Sequence, residues 1–139
     1  MIPFTVQYGQ ANANGKTLSK QNTVNPPVVL FSGEDRKLYT LVMSDPDAAA
    51  KSWLHWLITN IPGEANDVME GQVVMPYTGP NPPSGIHRYI FTLYEQPAGS
   101  IMVAKPSERG NFPVVSFERQ FGLTKIATRI VKSFSNGKN

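Results

Sequence analysis

Two histidines and one acidic turn hold most of the chemical potential of this sequence. His55 lies inside the aromatic run Trp53-Leu54-His55-Trp56, His87 follows a proline-rich stretch, and Asp45-Pro46-Asp47 ends an apolar run. The proline between the two carboxylates fixes the backbone, so the acidic side chains cannot drift independently. A carboxylate beside an imidazole accepts one ring N–H, sets the tautomer, favours the charged form and leaves the second nitrogen for a ligand. With two such rings the natural ligand is an anion. Each feature alone has an ordinary explanation: a single strand histidine is more often a core residue satisfied by a neighbour, and Asp-Pro-Asp is a common strand-end turn that caps its own backbone. Their combination in one chain points to a site.

The same residues leave two catalytic alternatives open. One is a hydrolase in which a histidine is oriented by Asp45 or Asp47; the other is a metal site of two histidines and a carboxylate. Neither has its usual partners. The sequence has no Gly-x-Ser-x-Gly elbow, no cysteine and no His-Glu-x-x-His helix. The expectation is a binding protein rather than an enzyme, with no cofactor and no metal.

The elements that would position these residues read as β-strands. Phe4, Val6 and Tyr8 alternate with polar neighbours, and Asn14-Gly15 offers a tight turn before Lys16-Thr17-Leu18. Val28–Phe31 ends at the turn cluster Ser32-Gly33-Glu34-Asp35, and residues 37–43 resume as a strand that delivers Asp45-Pro46-Asp47. Residues 53–61 are rich in aromatic and β-branched side chains and stop at Pro62-Gly63, which predicts a central strand bearing His55. The three prolines between Tyr77 and Gly85 lack amide donors, so that stretch is a shaped loop, after which residues 86–94 form the strand of His87. One short amphipathic helix is expected, with Asn111 as cap, Pro113 in the first turn, Phe117 and Phe121 on one face and Gly122 at its end. A last strand carries Ile126, Thr128 and Ile130, and residues 133–139 read as a polar tail.

Composition bounds the remaining possibilities. A chain of 139 residues supports one domain, expected over 1–139, and 40% hydrophobic with 17% charged residues is a globular balance. The 12 prolines and 11 glycines are scattered between short apolar runs, as turn punctuation in an all-β fold would be. A net charge of +3 is mildly basic, but no Lys/Arg run could neutralise successive phosphates, so nucleic acid is not an expected direct partner. No apolar run approaches the roughly 20 residues that span a bilayer, and the N-terminus lacks a basic segment followed by an apolar stretch. With no cysteine, a soluble cytoplasmic protein without integral membrane association is expected.

Four segments in order, Asp45-Pro46-Asp47-Ala48, Trp53-Leu54-His55-Trp56, the Gly79–Pro83 stretch and Gly85-Ile86-His87-Arg88-Tyr89, resemble the signature motifs of the phosphatidylethanolamine-binding family. That family includes Raf kinase inhibitor proteins and plant flowering regulators, and the similarity runs from Phe4-Thr5-Val6 to Gly122-Leu123. The resemblance implies a mostly β fold, an antiparallel β-sandwich of a large central sheet and a smaller sheet with one or two short helices. It also implies a pocket for phosphate-like anions containing Asp45, Asp47, His55, His87 and Tyr89, with Trp53 supporting His55 and Asn81, Pro82 and Pro83 at the rim. Expected partners are a phosphate-bearing small molecule or lipid headgroup, and a kinase or serine protease under its regulation. A protease inhibitor acting through an exposed loop is the alternative. Ala49 stands where the family motif usually has a second proline, and Asn81 where many relatives carry glycine; both change the pocket wall. The chain stops soon after the last family strand, without the C-terminal helix of longer relatives, which predicts a more open site.

Overall fold

In a computed structural model that describes residues 3–9 and 11–134, nine strands form two sheets. The smaller sheet has the order β2 (Ala11–Asn12), β1 (Phe4–Tyr8), β4 (Val28–Phe31). The larger runs β3 (Thr17–Ser19), β9 (Thr124–Phe134), β8 (Ile86–Glu95), β5 (Leu38–Asp45), β6 (Trp53–Pro62), β7 (Gln72–Met75). The mostly β, two-sheet architecture is the one expected, with one correction at an edge. β3 pairs parallel to β9, whereas every other neighbouring pair is antiparallel. The Asn14-Gly15 turn explains this: the Gly15 N–H donates to the Ile130 carbonyl at 2.6 Å and the Asn14 side chain accepts from the Ile130 N–H at 3.0 Å. The turn thereby hands the chain from the small sheet to the large one instead of closing a hairpin.

Alternation on β1 sends Phe4, Val6 and Tyr8 inward against one face of the large sheet, where Met43, Trp56, Tyr89, Phe91 and Val131 complete a buried cluster. The opposite face carries Val42, Leu54, Leu57 and Tyr94, covered by Phe112, Phe117 and Phe121 around α1 (Val114–Gln120). β5 and β6 are thus buried on both sides, which is why their sequences are nearly continuous apolar runs. Each large apolar side chain buried in this way contributes about 1.5–3 kcal/mol.

Three boundaries differ from expectation. The helix starts at Val114 with Pro113 at its N-cap, because Asn111 is held in a left-handed turn (φ 57°) with its N–H on the Ala50 carbonyl, two residues too early to cap. Strand β7 is an edge strand that the sequence pattern does not announce. β9 continues through Ser133 and Phe134, which pair with His87 and Ile86, so the expected polar tail begins later; its residues 135–139 lie outside the described residues.

Candidate functional site

Asp45, His55, His87 and Tyr89 reach one cavity because three adjacent strands end there. Cross-strand partners share a face, and the register places Asp45 opposite Trp53 and His87 opposite Ser133, with Met43 opposite both Trp56 and Phe91. Trp53 and Trp56 are an odd number of residues apart, so simple alternation would put them on opposite faces. A β-bulge between Met43 and Ser44 adds His55 as the extra residue of β6, which lets Trp53 and Trp56 both face the partners of the pocket side. The bulge aims His55, and nothing in the local sequence pattern marks it.

Both imidazoles have one nitrogen committed to the protein. His55 is 4% exposed, and its Nδ1–H donates to the Thr78 carbonyl at 2.6 Å. His87 donates through Nδ1 to Asp45 Oδ2 at 2.7 Å, and Asp45 is itself 3% exposed. Each ring is left with Nε2 to meet a ligand. Tyr89, 1% exposed, fills the space between them, with its ring edge-on to His55 at 5.1 Å and stacked on His87 at 6.4 Å. Trp53 packs on the outer side of His55 at 4.5 Å.

Burial pushes the His55 pKa down to about 4, outweighing the Thr78 hydrogen bond and the Asp45 charge, so this imidazole is neutral near pH 7. Burial likewise raises the Tyr89 phenol well above its usual value, which keeps it protonated and removes it as a nucleophile.

The walls come from loops. Ala48, Ala49, Ala50 and Trp53 line one side; Thr78, Gly79, Asn81, Pro82 and Pro83 line the other, enclosing a cavity of about 390 Å³. The first wall is laced to residues 109–112: the Leu54 N–H donates to the Arg109 carbonyl, and the Asn111 and Phe112 N–H groups donate to the Ala50 and Ser52 carbonyls. The second wall hangs on Tyr77, whose hydroxyl donates to the Thr23 carbonyl at 2.7 Å and accepts from Tyr8 at 2.6 Å. Gly79 is required here, since a Cβ would stand 2.5 Å from the Thr23 carbonyl oxygen. Arg109 ties the two walls together, donating to the Leu54, His55 and Pro76 carbonyls and lying over Trp53 at 5.5 Å. Sequence reasoning missed Arg109 and Thr78, because their partners are backbone carbonyls or a backbone-directed ring nitrogen, which leave no mark in residue type.

Of the nine residues singled out from sequence, eight line this cavity: Asp45, Trp53, His55, Asn81, Pro82, Pro83, His87 and Tyr89. Asp47 does not. Its carboxylate accepts a two-point ion pair from Arg88 at 2.8 and 3.0 Å and a third bond from the Arg88 N–H, outside the cavity lining. This pairing holds the Asp47 carboxyl down at about 2. The Asp47 N–H donates to Asp45 Oδ1 at 2.8 Å, so Asp47 steadies the turn that presents Asp45. Among the described residues no group of three His, Cys, Asp or Glu side chains is arranged to hold a metal ion. No helix among them is long and apolar enough to cross a membrane.

The family model for phosphatidylethanolamine-binding protein matches residues 2–133. The chain belongs to the phosphatidylethanolamine-binding protein family. Among relatives of this family, the rice (Oryza sativa subsp. japonica) Protein MOTHER of FT and TFL1 homolog 2 is 39% identical over 135 residues, spanning 88% of this chain and 76% of its own length. Protein FLOWERING LOCUS T of Arabidopsis thaliana is 38% identical over 130 residues, spanning 88% of this chain and 73% of its own. Two solved structures share the phosphatidylethanolamine-binding fold. The carboxypeptidase Y inhibitor, complexed with its cognate proteinase, superposes with a TM-score of 0.80 at 22% identity, covering 95% of this chain and 82% of the inhibitor. The E. coli protein YbcL gives 0.63 at 20% identity, covering 95% and 97%.

Proposed function

We propose that the cavity between β5, β6 and β8 is a ligand site for the acidic oxygens of a small phosphorylated or carboxylated molecule, a lipid headgroup included, and that its occupancy regulates a protein partner. The observation that supports this best is the pair of imidazoles. Each has Nδ1 committed to a protein acceptor, Thr78 or Asp45, and each lines the cavity with Nε2 unengaged. A histidine whose ring merely satisfied the core would have both nitrogens engaged or sealed in apolar surroundings.

The site is suited to binding rather than turnover. Among the described residues, the only hydroxyl-bearing ones that line it are Thr78 and Tyr89; the Thr78 carbonyl orients His55 and the Tyr89 phenol is held protonated. A histidine general base would therefore have no activated nucleophile beside it. The regulated partner is a kinase or a protease in a cytoplasmic setting. A complex of a protein with this fold and its cognate proteinase supports the protease version, and binding through a loop outside the cavity is then the second reading.

Calorimetric titration with phosphoethanolamine tests the site. A hydrogen bond between an imidazole and a charged ligand is worth about 1.5–3 kcal/mol, so His87→Ala lowers affinity by roughly ten- to a hundredfold. Asp45→Asn, which keeps the shape and removes the charge that holds His87, weakens binding less. Unchanged affinity in both variants, with their folds intact by circular dichroism, refutes the site. Protease inhibition that survives His55→Ala together with His87→Ala shifts the reading to the loop.

A further inference from the structure

Away from the cavity, a buried amide network fixes the segment that follows β8. The register of β5 against β6 shifts between Tyr39 and Leu41, and Asn60 beside this shift has a left-handed backbone (φ 57°). Gln96, 3% exposed, accepts from the Thr40 hydroxyl at 2.7 Å and the Asn60 N–H at 2.8 Å, and donates to Asn60 Oδ1 at 2.9 Å and the Gly99 carbonyl at 3.0 Å. Asn60 extends this order to Ile101: its Oδ1 accepts from the Ile101 N–H and its Nδ2 donates to the Ile101 carbonyl, both at 2.9 Å. Both backbone groups of one residue are thereby held by one side chain, and a satisfied polar network of this kind is rigid.

In an extended backbone, successive residues send their side chains to opposite faces and their N–H and C=O groups to opposite sides. Residues 101–104 alternate between half-buried and exposed. Val103 packs against the cluster of Val42, Leu54, Leu57 and Tyr94, whereas Met102 is 92% exposed, more than any other large apolar side chain described. With Gly99 and Ile101 turned toward the clamp, the N–H and C=O of Ser100 and Met102 face away from it and meet no partner among the described residues. A segment of that form pairs as a strand with another protein through Ser100 and Met102, with the Met102 side chain as its anchor. The ordering that such pairing requires is already complete in the free protein. None of residues 99–103 lines the cavity.

Resting on the second reading above, binding through a loop outside the cavity, we propose that residues 100–103 are a substrate-like segment for a serine endopeptidase whose primary pocket takes a long, unbranched apolar side chain. Such an enzyme pairs with the backbone of alternate residues of an extended segment, and it takes one side chain in its pocket and the carbonyl of the same residue in its oxyanion hole. Met102 supplies both, and Ser100 supplies the second backbone pairing. Ile101, whose backbone groups the enzyme does not use, is the residue that the fold holds. Attack by the enzyme's serine on the Met102 carbonyl breaks the Met102–Val103 bond, forms an ester and sends the serine proton to the Val103 amine. Ile101 in its clamp and Val103 against its apolar cluster keep the two ends together, so the amine re-attacks the ester before water does. The segment then inhibits the enzyme instead of being consumed by it.

The test measures inhibition of chymotrypsin, subtilisin and trypsin by the intact protein, with the Met102–Val103 bond followed by mass spectrometry. The proposal predicts competitive inhibition of at least one of the first two enzymes, whose primary pockets are apolar. Met102→Arg weakens that inhibition about a hundredfold and transfers it to trypsin, whose pocket carries a carboxylate. Met69→Arg, at an exposed methionine elsewhere, changes neither. Asn60→Gly keeps the left-handed backbone and removes the clamp, so the Met102–Val103 bond is cut about tenfold faster or more and inhibition fades; circular dichroism checks that this variant is folded. Absence of inhibition of both chymotrypsin and subtilisin by the intact protein overturns the proposal, as does prompt cleavage of its Met102–Val103 bond. Inhibition that Met102→Arg leaves unchanged also overturns it, while the loop reading passes to a different loop. Inhibition that disappears when His55→Ala and His87→Ala are combined removes the loop reading and this proposal together.

Discussion

The floor and the rim of the cavity are built on different principles. The floor side chains, Asp45, His55, His87 and Tyr89, stand on β5, β6 and β8, where Asp45, His87 and Tyr89 have ladder partners and the bulged His55 is flanked by paired residues. The rim, residues 48–50 and 76–83, has no ladder of its own. It is held by a few point contacts: Tyr77 on Thr23, Arg109 on three carbonyls, and the 109–112 segment on Ala50 and Ser52. Changes in the floor therefore propagate into the core, while changes in the rim alter what fits. On the proposed ligand-site reading, chemistry is set by the floor and selectivity by the rim.

The hardest break is in the floor. Tyr89→Ala removes a fully buried aromatic ring that touches both histidines, and it should cost about 3–5 kcal/mol in urea unfolding as well as abolishing ligand binding. A floor substitution that left stability unchanged would erase the distinction between the two regions.

Next in size is the acid response of His55. Its folded pKa of about 4 lies below the ordinary 6.5, so between those values the unfolded chain binds a proton that the folded protein refuses. Stability is full above about pH 6.5 and declines as pH falls toward 4, by on the order of 3 kcal/mol if the whole shift is expressed. His55→Asn should flatten this part of the stability profile, as measured by unfolding at pH 7 and pH 4.5.

A rim substitution should behave differently. Tyr77→Phe deletes the hydroxyl that links Thr23 to Tyr8 and should cost about 1–2 kcal/mol. Its larger consequence is to free the 76–83 loop, so ligand affinity should fall and ligand size discrimination should weaken while the His87–Asp45 pair persists. Unchanged discrimination would mean that the rim does not set selectivity.

The smallest effect belongs to Asp47, which lies between the two regions. Its carboxyl, held down at about 2 by Arg88, contributes stability that is complete above the ordinary carboxylate pKa of about 4 and is lost as pH falls toward 2. The pair is partly exposed, so Asp47→Asn should change stability only slightly, and less still at high salt. It should leave the cavity's polar floor in place.

The floor was the part legible in the amino-acid sequence. Asp45 closes an apolar run, His55 interrupts an aromatic one and His87 opens the strand that follows the proline-rich loop, so each stands out by residue type and place. What could not be read there depends on pairing or on backbone partners. The bulge at His55 exists only in the register of β5 against β6. The Asp47–Arg88 pair joins positions 41 apart, and only strand neighbourhood brings them together. Arg109 sits in a polar, glycine-containing stretch and earns its place through carbonyls that any residue would carry. Strand β7 is short, with Gln72 and Val73 exposed, so its burial pattern is too weak to stand out.

The central claim is that both imidazoles present Nε2 to one cavity with Nδ1 held by the protein. Long-range proton–nitrogen correlation spectra of the two rings at pH 7.5, before and after addition of phosphoethanolamine, test it most directly. The account predicts that His55 is neutral with its proton on Nδ1, that both Nδ1 signals persist, and that both Nε2 signals shift when ligand is added. A His55 protonated on Nε2, or Nε2 signals indifferent to ligand, would contradict it.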